Sequence, residues 1–273
     1  MINSITKNKI SDYFYFFLKY RIHISIFSLI FLITFYTQYL KTNVDWAVAS
    51  SFFIWNIALY LFDRAYDSRK DVISQREEAM AEIERVPFII FSILLAFTPI
   101  LIFYFCDKPI LPYLIFIPLT FLYTYPIFGH KRIKDFLLIK NLYSAVIIWP
   151  LPVIIVASFY LDNKDFSMVS LMKDQIFPLF LYVMIGEAFW DIRDVHGDKV
   201  NGVNTIPVAF GVKSAKIYLY ALLIIDLLTS EYKFSQSFLL YSVLVAVVTP
   251  ISPRWIFHLP PLIALYRWIL SFT

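Results

Sequence analysis

The sequence predicts an all-α protein that crosses a membrane many times, and three observations predict it. Hydrophobic residues fill 60% of the 273 positions, with a mean hydropathy of +0.69. Charged residues make up only 16%, well under the roughly 25% of a soluble domain. The apolar residues also fall in runs near the length that a bilayer core demands, about 20 per helix. A soluble fold of this size has too little interior to hide so much apolar surface. Backbone groups in lipid must be satisfied within their own segment, so the runs are read as helices. The 28 Phe and 19 Tyr suit lipid-facing and interfacial positions.

Nine spans are expected, near residues 22–40, 46–62, 87–106, 110–128, 141–160, 175–190, 213–230, 235–250 and 254–271. The first follows Lys19 and Arg21 and lacks a small-residue cleavage site, so it reads as a span and not as a cleavable signal. Pro109, Pro112, Pro118, Pro250 and Pro253 mark ends or kinks. The single cysteine, Cys106, reads as a buried thiol and excludes an intrachain disulfide or a Cys-based zinc cluster.

The net charge of +4 matters through its sidedness, and nothing in it calls for nucleic acid. Nine spans place 18 Lys and Arg on the side of the N-terminus and 6 on the other. The positive-inside rule puts the richer side in the cytoplasm.

Two rows of aspartates lie on that side. Asp63, Asp67 and Asp71 close the second span in YLFDRAYDSRKD, and the spacing i, i+4, i+8 keeps them on one helical face. Asp191, Asp194 and Asp198 close the sixth in GEAFWDIRDVHGDKV, at i, i+3, i+7, again on one face. Like charges stacked this way repel, and a cation relieves the repulsion. Hard divalent cations take oxygen ligands, and magnesium commonly uses one or two carboxylates plus substrate phosphates. Two such faces across a cavity would clamp a diphosphate and neutralise it as a leaving group. Asp67, Asp71, Asp194 and Asp198 are the expected metal ligands, with Asp191, Asp194 and Arg193 the expected catalytic groups. Asp63 and the basic residues around the rows, Arg64, Arg69, Lys70, Lys131, Arg132 and Lys199, are the expected diphosphate contacts. Taken one at a time, each row reads equally as a solvated helix end, and each basic residue as positive-inside charge.

Four of the five glycines, Gly186, Gly197, Gly202 and Gly211, fall within 26 residues around the second row. Gly197 and Gly202 suit a bent segment after the sixth span, Pro207 forbids one continuous long helix, and Gly211 ends a short helical piece before the seventh span. Trp55, Tyr60, Tyr66 and Trp190 lie near the rows, where aromatic faces would shield a cation; each also reads as packing. Asn56 and Glu187 are polar groups inside spans and need partners. The four histidines show no metal-binding spacing, and His196 faces away from the second row.

These residues resemble the UbiA superfamily of membrane prenyltransferases. The second family signature, Asp-x-x-Asp-x-x-x-Asp, is matched in full by Asp191, Asp194 and Asp198. The following GVNTIPVAFG resembles the family's Gly-Val-Arg-Thr-Leu-Pro-Val stretch, and Tyr125 to Arg132 resembles its Tyr-Pro…Lys-Arg loop. The first signature is altered: Asp63 stands where the family has Asn, Arg64 where it often has Asp, and the usual Arg-Pro is absent. Asn204 replaces a basic residue before Thr205. The resemblance covers roughly residues 45–215. It implies a single membrane domain of two related halves, roughly 1–160 and 161–273, with nine helices around a central cavity. It also implies Mg²⁺-dependent ionisation of a polyprenyl diphosphate and attack by a lipophilic acceptor, commonly an aromatic ring. Membrane lipid is the implied surrounding, and no obligatory protein partner is called for.

Two other readings share some of these features. A phosphosugar transferase acting on polyprenyl phosphate could use the same metal site. An ion-coupled transporter would place its carboxylates nearer the midplane and show inverted repeats, whereas here the acids gather at one face and spans two and six run in the same direction.

Overall fold

An apolar run in lipid satisfies its backbone most simply by coiling, and in a computed structural model of the chain every regular element among the described residues is helical. The structure describes residues 20–73, 81–126, 129, 131–160, 167–229 and 235–270. In chain order the segments are α1 (Ile22–Tyr39), α2 (Trp46–Ile73), α3 (Glu82–Phe105), α4 (Leu111–Leu122) and α5 (Ile139–Ser158). They continue with α6 (Met168–Val200), α7 (Ile206–Thr229), α8 (Ser235–Val247) and α9 (Leu259–Leu270). Six of them, α1, α2, α3, α5, α6 and α7, are long and apolar enough to cross a bilayer. The shorter α4, α8 and α9 occupy the other three expected positions. Six of the nine expected spans thus have the length to cross unaided.

The chain divides into two compact units, Met1–Ile30 with Trp46–Phe121, and Phe31–Asp45 with Leu122–Thr273. In the first, α2 packs along α3. Tyr20, Leu61 and Ala65 form a buried cluster closed by Ile57, Phe88 and Leu95, and the Tyr20 ring stacks on Phe88 with centroids 5.2 Å apart. Deeper along α2, the Trp55 indole N–H donates to Thr120 Oγ1 at 2.7 Å. The outer face of α3 carries exposed Ile83, Ile90, Leu94, Leu101 and Phe105. A contiguous apolar face of this kind is costly in water and ordinary against acyl chains. Cys106, expected to be buried, is exposed in the turn that follows this helix.

In the second unit α6 is the axis, packed by α5, α7 and α9. Every residue from Leu181 to Ile192 is buried, as an apolar helix surrounded by others should be. The Trp190 indole donates to the Phe257 carbonyl at 2.7 Å, and the Tyr241 hydroxyl to that of Pro260 at 2.9 Å. Asp226 of α7 and Arg267 of α9 form a buried ion pair, with the guanidinium carbon 5.0 Å from the Tyr182 ring centroid. Helix α5 breaks at Ile148–Trp149, where Pro150 begins its second half.

The expected span 175–190 is extended at both ends, to Met168–Val200. Its regular part from Phe177 holds 24 residues, about 36 Å at 1.5 Å per residue, against a hydrocarbon core of about 30 Å. The excess of about 6 Å is about one turn, which is the turn that carries Asp198. Gly197 lies buried inside this helix and not in a bend. The stop comes at Gly202, φ +69°, where the Val203 N–H donates to the Asp198 carbonyl at 2.9 Å and the Gly202 N–H to that of Lys199 at 3.4 Å. This double closure about a left-handed glycine satisfies the last carbonyls of the helix. Gly211, at φ +85°, then separates the short piece after Pro207 from the rest of α7, as the sequence led us to expect.

Candidate functional site

The carboxylates of the α6 row are held by cations and amides of their own unit. Asp191 is buried, 2% exposed, and both of its oxygens are engaged. Oδ1 accepts from Lys140 Nζ at 2.5 Å, and Oδ2 from Asn141 Nδ2 at 3.0 Å. Asp198 is also buried, and its Oδ2 lies 4.0 Å from Lys140 Nζ. Asp194 is half-buried and takes the guanidinium of adjacent Arg193 in a two-point contact, at 2.7 and 2.8 Å. Side chains on a helix lean toward its N-terminus, so Asp198, seven residues beyond Asp191, can still approach the same lysine. Glu187, one turn before Asp191, is buried, and its field also reaches Lys140.

Lys140 arrives here because the loop before α5 is fixed. Arg132 is buried and binds Asp135 bidentately, with contacts at 2.5 and 3.0 Å, while the Arg132 N–H donates to Asp135 Oδ2 at 2.9 Å. This clip closes a short 3₁₀ turn, Ile133–Asp135. Lys134 is buried with its ammonium 5.3 Å from the Tyr123 ring centroid. The Asp135 carbonyl accepts from the Asn204 N–H at 3.3 Å, tying the loop to the segment after α6. Leu138, with φ +63°, then turns the chain into α5 and presents Lys140 and Asn141 in its first turn.

Sequence reasoning counted Lys140 among the cytoplasmic charges and passed over Asn141. Two adjacent polar residues opening an apolar span were the available signal, since polar groups at that depth need partners. Of the expected diphosphate contacts in this unit, Lys131 is exposed with its ammonium 5.7 Å from the Phe136 ring centroid, and Lys199 is exposed on α6. Arg132 is committed to Asp135. His196 is exposed.

In the other unit, Asp63 and Asp67 lie half-buried on one face of α2, and Arg64 is buried, 5% exposed. The backbone of Arg69, Lys70 and Asp71 continues α2, and their side chains fall outside the described residues. Asn56 is fully buried and accepts from Ser25 Oγ at 3.3 Å. The aromatic residues near both rows are engaged in packing. Trp55 and Trp190 hold carbonyl or hydroxyl partners, Tyr60 lies 5.4 Å beneath the Arg21 guanidinium, and Tyr66 stacks on Phe62.

Chemically, the α6 arrangement is a row of carboxylate oxygens balanced by ammonium and guanidinium groups. Carboxylate oxygens of this kind suit a hard metal ion, and basic groups of this kind suit phosphate oxygens.

Comparison with known proteins identifies the family and the fold. The family model described as the UbiA prenyltransferase family matches residues 27–269. Two solved structures share the fold, both of a UbiA homolog from Archaeoglobus fulgidus. The one bound to DMAPP and Mg²⁺ is 14% identical, with a TM-score of 0.58, and the one bound to GPP and Mg²⁺ is 15% identical, with a TM-score of 0.54. Each alignment covers 94% of this chain and 97% of the other. No curated protein matches the chain.

Proposed function

The chain belongs to the UbiA prenyltransferase family, and we propose from this that it moves a prenyl group from a polyprenyl diphosphate to a lipophilic aromatic acceptor of the quinone-precursor type. Diphosphate is released, magnesium is the cofactor, and the reacting face opens to the cytoplasm. One observation carries the reading. Asp191, Asp194 and Asp198 stand on one face of α6 among Lys140, Asn141 and Arg193, in a family whose matched structures hold prenyl diphosphates with Mg²⁺.

The residues present fit a hard divalent ion. Among the described residues no group of three or more His, Cys, Asp or Glu closes on one point. Each ion would therefore draw one or two carboxylates from the protein and its other ligands from diphosphate and water, which is how magnesium is commonly held. The reading assigns this role to Asp67, Asp71, Asp194 and Asp198. When bound, the metal neutralises charge developing on the diphosphate oxygens.

This chain's own groups do the remainder. Arg193, which here faces Asp194 with two donors, would supply that two-point donor set to the diphosphate. Lys199, exposed on the last turn of α6, and Lys131, exposed in the loop before α5, would draw the anionic head group in. On α2 the reading keeps Asp63, Arg64, Arg69 and Lys70 as the expected diphosphate contacts. Asp191, with both oxygens engaged, sets the position of Lys140. The allylic C–O bond breaks, its electron pair leaves with the diphosphate, and the prenyl cation bonds to a ring carbon of the acceptor, which then loses its proton.

The test is diphosphate release from geranyl diphosphate, and from longer homologues, by the full chain in detergent with a panel of aromatic acceptors. Mg²⁺-dependent release coupled to a prenylated product is expected. Absence of release across the panel sinks the reading, and mass spectrometry of lipids lost from cells lacking the protein identifies the acceptor.

A further inference from the structure

The ammonium of Lys140 stands where a metal ion would be useful. It lies 2.5 Å from Asp191 Oδ1 and 4.0 Å from Asp198 Oδ2, with the lysine side chain 13% exposed and the two carboxylates 2% and 6%. Asn141 caps the other oxygen of Asp191 at 3.0 Å. Buried charges persist only when paired and hydrogen-bonded, and this lysine is paired to two members of the row at once. A lysine head is a compact point charge, so it relieves the repulsion between Asp191 and Asp198 as a bound cation would. The clip between Arg132 and Asp135, the tie from Asp135 to Asn204 and the left-handed Leu138 all fix the approach of α5 to α6. The position of the ammonium is therefore built by the fold and does not depend on a flexible side chain alone.

We propose that Lys140 is a resident cation of the α6 row, a positioning residue that holds Asp191 and one side of Asp198, so that divalent metal is taken through Asp194 and Asp198 and Asp191 is not a metal ligand. The inference rests on the metal-dependent reading above and adds to it a division of labour within the row. Asp191 and Lys140 form a permanent neutral pair at the buried end, and Asp194 and Asp198 form the exchangeable end.

Mn²⁺ binding to the full chain in detergent tests it, counted by electron paramagnetic resonance with and without inorganic diphosphate. Lys140→Met exposes Asp191 to the ion. It is expected to take up an additional Mn²⁺ or to bind the same number about tenfold or more tighter, while Lys140→Arg retains wild-type binding. Lys140→Met is also expected to melt lower than wild type in chelator, with Mn²⁺ closing the gap. The double variant Lys140→Met/Asp191→Asn is neutral at the buried end and keeps the inference testable should the single variant not fold; it is expected to bind Mn²⁺ as wild type does. Loss of binding in the double variant makes Asp191 a ligand and overturns the inference. Equal number and affinity in wild type and Lys140→Met overturn it while leaving the prenyl-transfer reading intact. No Mn²⁺ bound by any of these proteins overturns both.

Discussion

The aspartate row on α6 and the one on α2 differ in how far their own unit encloses them. On α6 Asp191 and Asp198 are buried, and Lys140, Asn141 and Arg193 supply donors at stated positions. On α2 Asp63 and Asp67 are half-buried on a helix that runs on past them. The α6 row matches the family signature in full, whereas the departures, Asp63 and Arg64, fall on α2. A carboxylate enclosed with fixed partners serves the fold as well as the reaction, and its loss should be felt in both. A carboxylate at a more open position should be felt in the reaction alone.

The largest effect tests the reaction side of this contrast. Asp194→Ala and Asp67→Ala should each lower prenyl transfer by about a thousandfold or more, the scale expected when charge stabilisation at the reacting group is removed. Thermal melting of both should stay close to wild type; an active variant of either kind removes its row from the chemistry. Next in size is Asp191→Ala, which takes from Lys140 its 2.5 Å partner and leaves it the 4.0 Å contact with Asp198. Breaking a buried pair from one side costs about 3–5 kcal/mol, so this variant should melt well below Asp67→Ala. Equal melting of the two would erase the distinction between the rows. Arg267→Met takes the guanidinium from buried Asp226, and should lower stability by about 3 kcal/mol while the surviving folded fraction keeps its turnover. Such a result separates structural charge in α6–α9 packing from charge in the row. The smallest effect is that of Gly202→Ala. A Cβ there meets open space, so the cost is the left-handed backbone alone, about 1 kcal/mol, read as a small shift in melting with a modest change in Mg²⁺ dependence through Asp198.

Much of this was legible in the residues. Spans of about 20 apolar positions gave α1, α2, α3, α5, α6 and α7 because lipid imposes both length and composition. The ends of α6 were not legible, since its last turns are polar and helical at once: once a helix leaves the hydrocarbon, hydropathy stops tracking it. Gly211 and Pro207 were read correctly because each forbids a specific backbone state, while Gly197 misled because glycine permits a bend without requiring one. The aspartate spacing showed which carboxylates share a face, and it could not show that Lys140 and Asn141, some fifty residues earlier, meet Asp191. That pairing depends on the turn at Ile133–Asp135 and on Leu138, whose left-handed backbone no sequence rule anticipates in a branched apolar residue. Cys106, read as a buried thiol at the end of an apolar run, lies exposed in the turn that follows α3, because the run ends one residue before it.

The ion pair between Asp226 and Arg267 has a consequence for how the polypeptide is made. α9 has only 12 residues and carries an arginine near its end. An arginine in an apolar segment costs up to roughly 2.5–3.5 kcal/mol at the helix centre and less near an end, as here. Such a segment is a poor candidate to leave the translocon by itself, and it becomes acceptable once Asp226 is already seated to receive it. The pair therefore acts as a latch between α7 and α9, and α9 is expected to seat only after α7 is in place to receive its charge.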